Sequence, residues 1–67
     1  MADEITMKDM AECAEREVRQ RQRVYPRWVQ DGRMTQSFAD RQIAIMQAIA
    51  TDLRTKADAE EESTRLI

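Results

Sequence analysis

The side chains best suited to binding fall in one short stretch. From Arg19 to Arg33 the chain reads RQRQRVYPRWVQDGR. With Arg16 just upstream, this stretch gathers six of the eleven basic residues, the one Tyr and the one Trp. Arg16, Arg19, Arg23 and Arg27 recur at spacings of 3, 4 and 4, which places them on one face of a helix. Guanidinium groups beside aromatic rings suit phosphates, stacked bases or the centre of a protein interface. Arg23, Arg27 and Arg33 have no acidic residue four positions upstream, so with Tyr25 and Trp28 they form the candidate partner-binding set. A plainer reading stands beside this one. Glu12–Arg16, Glu15–Arg19 and Glu17–Arg21 are i,i+4 pairs with the acid first, each adding about 0.2–0.5 kcal/mol to an exposed helix. On that reading Tyr25 and Trp28 belong to an apolar seam, and the remaining arginines form a solvated face.

Catalytic chemistry finds no support. The chain has no His and one Cys, Cys13, which lacks a base to activate it and cannot form an internal disulfide. A lone Cys without His does not make a four-ligand zinc site. One Gly cannot build a phosphate-cradling loop. The adjacent carboxylates Glu60 and Glu61 fall in an acidic, solvated tail. The expectation is a protein that is not an enzyme and needs no cofactor or metal, with Cys13 a packing or surface residue. The five methionines read as core filler before they read as a binding surface.

The elements that position these residues follow from Pro26 and Gly32, the only Pro and the only Gly. Long stretches on either side have no breaker, so the layout is helix, joint, helix. The first arm is expected from Ile5 to Tyr25. Met7, Ala11, Ala14, Val18, Arg21, Tyr25 and Trp28 recur at alternating spacings of 4 and 3, a heptad seam that Arg21 alone interrupts. Arg21 is expected at that seam with its stem buried and its head outward or paired with Glu17. Pro26 disfavours helical geometry at Tyr25, so the helix is expected to end, or to kink and restart, at Tyr25-Pro26, with a short turn from Pro26 to Asp31 and Gly32 as a left-handed cap. Thr35 or Ser37 caps the next helix, Ser37 with Asp40 resembling a capping box. The second arm is expected from Gln36 to Ala57. Its seam is Ala39, Ile43, Met46, Ala50, Leu53 and Ala57, with a second apolar line of Phe38, Ile45 and Ile49 beside it.

The joint is short, so the arms lie side by side and antiparallel: an all-α helical hairpin, one domain over residues 1–67, frayed at about 1–4 and 58–67. A chain this short buries only about 60% of its unfolded surface. With no disulfide or metal available, self-association is the remaining route to stability. The second arm is apolar over too wide an arc for one partner helix, so two hairpins are expected to form a four-helix bundle. The candidate assembly set is Phe38, Ile43, Ile45, Met46, Ile49, Leu53 and Val18. A net charge of −2 argues against a nucleic-acid-coating protein, and no apolar run is long enough to span a membrane. The acidic start, Met1-Ala2-Asp3-Glu4, is not expected to be a secretory signal, and one unpaired Cys fits a reducing cytoplasm.

The block Val24-Tyr25-Pro26-Arg27-Trp28-Val29, then Gly32-Arg33-Met34-Thr35, resembles small uncharacterised proteins of tailed bacteriophages and prophages. The likeness extends through Ala39-Asp40-Arg41-Gln42-Ile43, Met46, Ala48-Ile49 and Asp52-Leu53, covering about residues 13 to 54. It implies a setting, the cytoplasm of a bacterial host, and brings no catalytic residues. The first expectation for function is therefore a phage-encoded interaction protein. It binds a host protein and inhibits or redirects it, a bacterial defence component (of the CRISPR kind or another immune system) being the implied target. The second is an oligomeric sponge that holds a small phosphorylated nucleotide in an Arg/Tyr/Trp pocket. The third, a nucleic-acid accessory protein, is opposed by the acidic ends.

Overall fold

A computed structural model of the chain describes residues 4–65, with side chains described through Ser63. It is an all-α hairpin of two helices, α1 over Met7–Gln30 and α2 over Gln36–Arg65. At 1.5 Å per residue they are about 36 and 45 Å long. Residues of rising number in α1 meet residues of falling number in α2, Glu15 with Arg54 and Arg21 with Gln42, so the helices are antiparallel.

α1 starts at Met7, two residues after the expected Ile5, because Thr6 caps it. The Thr6 hydroxyl accepts the Asp9 N–H at 3.0 Å, and the Asp9 carboxylate accepts the Thr6 N–H at 3.1 Å. This reciprocal box satisfies two N–H groups that a bare helix end leaves open, and Asp9 also complements the helix dipole. Both bonds favour the ionised acid and hold the Asp9 carboxyl below its usual pKa.

The turn expected over Pro26–Asp31 does not form, and α1 does not end at Tyr25: it runs through Pro26 to Gln30. An interior proline forfeits one backbone hydrogen bond and crowds the preceding turn, at about 3 kcal/mol. Continuing the helix keeps Val24, Tyr25, Trp28 and Val29 half-buried while Pro26 itself stays exposed. The end is then closed at Gly32, which adopts φ +78°, the left-handed geometry the sequence predicts for it. The Gly32 N–H donates to the Val29 carbonyl at 3.0 Å and the Arg33 N–H to the Trp28 carbonyl at 2.8 Å. That pair of bonds is a Schellman closure, and it needs the helix to persist to its end.

Of the two candidate caps for α2, Thr35 does the work: its hydroxyl accepts the Phe38 N–H at 3.1 Å. The Ser37–Asp40 box does not form. Asp40 instead accepts from the Gln36 side chain at 2.8 Å. α2 continues past the expected end at Ala57 to Arg65. Residues 56–62 are Lys, Ala, Asp and Glu, mostly strong helix formers. Ala57 is buried against α1, and Arg54–Asp58 and Asp52–Lys56 are i,i+4 ion pairs. At the other end Glu4 lies outside the helix, and the fraying expected at residues 1–3, 66 and 67 lies outside the described residues.

The seam read from the sequence is the seam of the structure. Its buried members are Ala11, Ala14 and Val18 from α1 and Ala39, Ala50 and Ala57 from α2. All but one are alanine, so the helices approach closely while little apolar volume is enclosed. Met46 and Leu53 flank this core only half-buried. The shape shows the same shortage. A compact domain of this length has a radius of gyration of about 11 Å, whereas this one measures 15.5 Å with extents of 53 × 25 × 13 Å. The hairpin is a slab one helix thick.

Candidate functional site

The last turns of α1 carry the candidate binding residues. Tyr25 and Trp28, three residues apart on the seam, stack with ring centroids 5.6 Å apart and planes at 27°. Both are half-buried, while Arg23, Arg27 and Arg33 are exposed. Among the described residues none of these three arginines takes part in an ion pair. The five-residue set is therefore brought to one end of the slab but divided in kind, the rings serving the seam and the guanidiniums facing outward.

The cation beside the Tyr25 ring is Arg21. Its guanidinium carbon sits 5.8 Å from the Tyr25 ring centroid. Its Nε donates to Glu17 Oε1 at 3.1 Å, as the sequence predicts. Its Nη1 donates across the hairpin to the Gln42 carbonyl at 3.0 Å, a contact the sequence did not reveal. A backbone acceptor on another element leaves no trace in residue types. Arg21, Glu17, Gln20, Val24, Tyr25 and Trp28 line a shallow groove along α1. Glu17 occupies Arg21 there, so the groove offers an anion no unpaired cation. Because the Gln42 carbonyl already accepts within its own helix, Arg21→Leu should keep or raise the melting temperature, measured by circular dichroism at matched concentration. A fall of 10 °C or more, on the order of 2 kcal/mol for a chain this size, would show that the Arg21 network is structurally required.

Glu15 departs from its expected pairing with Arg19. Its carboxylate accepts two bonds from Arg54 of α2, both 2.9 Å. The Arg54 guanidinium holds the Glu15 carboxyl below its usual range, and Glu15 raises the Arg54 pKa in return. The signal for this pair was present, because Glu15 and Arg54 each lie one position past a seam residue, where antiparallel heptads meet. The linkage sign follows from the depressed carboxyl. Its stabilising effect is fully present above the unfolded glutamate pKa, near 4.3, and is lost as pH falls through the folded value. Acid titration followed by helix signal should show Glu15→Gln losing less stability than the parent as pH falls below about 4. Equal losses in both proteins would mean the pair does not contribute.

The Glu15–Arg54 bridge closes one broad side of the slab. The other side is apolar. Met10, Cys13, Ala14, Glu17, Met46, Ile49 and Leu53 line an open groove between the helices there. The expected assembly residues divide accordingly. Val18 is buried inside the hairpin, Ile43, Met46 and Leu53 are half-buried along the seam, and Phe38, Ile45 and Ile49 are 52, 41 and 44% exposed.

Charge is polarised along the slab. In the joint half, residues 19–44, Arg19, Arg21, Arg23, Arg27, Arg33 and Arg41 oppose Asp31 and Asp40, a net of +4. In the open half, residues 4–18 and 45–65, ten carboxylates oppose five cations, a net of −5.

Among the described residues, no group of His, Cys, Asp and Glu is placed to hold a metal ion. No described helix is long and apolar enough to cross a membrane. No family model, no curated protein and no solved structure matches the chain.

Proposed function

We propose that this chain is a non-catalytic interaction protein that works as a homo-oligomer and binds a host protein through the arginine-bearing joint, inhibiting or redirecting it. The phage-encoded, anti-defence setting belongs to the same reading and rests on the resemblance of the VYPRWV block and the GRMT block after it. The observation that carries the proposal is the division at the joint. Exposed Arg23, Arg27 and Arg33, outside any ion pair among the described residues, share one end of the hairpin with a stacked Tyr25–Trp28 pair, and Arg21 lies over the Tyr25 ring. Interface hot spots take this form, an aromatic anchor with arginines at its edge. The partner such a surface fits is acidic.

The nucleotide-sponge reading receives less support, because Glu17 sits in the Arg/Tyr/Trp groove and takes up Arg21. Tagged protein recovered from phage-infected bacteria, with small molecules extracted from the bound fraction, separates the two. A stoichiometric host protein that is absent when Arg27 and Arg33 are reversed in charge is the expected result. A co-purifying nucleotide with no protein partner would replace this reading with the sponge.

A further inference from the structure

We propose that the apolar side of the slab is where two copies of this chain meet, and that they meet antiparallel. The joint end of each lies over the open end of the other, about a twofold axis perpendicular to the long dimension. This rests on the self-association part of the functional reading and adds the face and the direction.

Three observations carry it. The first is area. The chain exposes 5482 Å², whereas a compact monomer of this mass exposes about 4,400 Å². The excess, roughly 1,100 Å², is more than the ~800 Å² each partner buries in a standard stable interface. The second is sidedness. The opposite side carries the Glu15–Arg54 bridge and a polar depression lined by Lys8, Asp58, Glu60 and Glu61, whereas the groove on this side is lined mainly by apolar side chains. A surface that must pair with its own copy makes an isologous contact, and closure at two copies follows. The third is charge, and it sets the direction. Parallel stacking places the +4 joint halves together and the −5 open halves together. Antiparallel stacking places each over its opposite, and at about 10 Å between helix layers such charges are within a Debye length of one another. In that arrangement α2 lies over the partner's α2, Ile45 and Ile49 meet their counterparts near the axis, and Phe38, toward the joint, lies over the open half of the partner's α2. Four helices then enclose the volume that the alanine seam leaves unfilled.

Light scattering should give twice the 7.9 kDa chain mass, falling to one chain for Ile49→Glu and for Ile45→Glu, with helix content followed in the same samples. Direction is read on the unperturbed face by a spin label at Gln30→Cys in a Cys13→Ser background, Gln30 being exposed beside the joint. The antiparallel dimer separates the two labels well beyond the 25 Å width and toward the 53 Å length of the slab. Labels closer than that width would overturn the direction while leaving self-association standing. A dimer unaffected by both glutamate substitutions would overturn the face. A well-folded monomer would end this proposal and the self-association reading together. Salt gives an independent arm, since raising it should weaken an antiparallel dimer and strengthen a parallel one.

Discussion

Pro26→Ala is expected to raise the melting temperature substantially. Pro26 stands inside α1, five residues before its C-cap, and is exposed. An alanine there restores an N–H able to reach the Gln22 carbonyl and removes the ring that crowds the preceding turn. The propensity difference is about 3 kcal/mol. Part of it is offset because proline also restricts the unfolded chain, by about 0.4–1 kcal/mol. A net gain near 2 kcal/mol corresponds to a rise of roughly 8–16 °C for a domain this small. The comparison is made at equal protein concentration, because the midpoint of any self-associating chain depends on concentration. An unchanged or lower midpoint would mean that the proline ring makes contacts worth more than the bond it forfeits. A stabilised variant with weakened partner binding would show that the joint's shape is kept for function at the expense of stability.

Pro26 is also where reading from sequence reached its limit. Heptad spacing located both seams, because burial against one neighbouring helix has a period that survives in residue types. The exposed line of Phe38, Ile45 and Ile49 was legible for the same reason. Gly32 was legible because a left-handed residue has few alternatives. The helix end was misplaced because a local penalty, proline after Tyr25, was weighed without the Schellman closure that lies six residues on. The cap at Thr6 was missed although Thr6 and Asp9 have the right spacing, because an apolar residue stands before the cap, Ile5, as well as after it. The end of α2 was placed too early, at Ala57, because the acidic run after it has no apolar period, whereas alanine, lysine and glutamate favour a helix even while solvated. For the site, residue types identified the arginines and the rings. They did not show that Arg21, rather than its neighbours, would take the rings, because that depends on a Gln42 carbonyl supplied by the other arm.

Reversing Arg27 and Arg33 together, to Glu, is expected to abolish partner binding while the hairpin persists. Both side chains are exposed and outside any ion pair among the described residues. Exposed substitutions of this kind usually change stability by within about ±0.5 kcal/mol. Arginines at the centre of an interface contribute about 2 kcal/mol or more each. Losing two therefore lowers affinity on the order of 1,000-fold, and reversal against an acidic partner lowers it further. Helix content and particle mass, measured on the same samples, distinguish loss of contact from loss of assembly. Trp28→Ala is the informative contrast. It removes half of the Tyr25–Trp28 stack and a half-buried side chain from the seam, so it should lower stability as well as binding. Full partner binding by a folded, assembled double-charge-reversed protein would exclude the joint as the binding site. Any partner would then have to engage the polar side of the slab around Glu15 and Arg54, or the face that carries Phe38, Ile45 and Ile49.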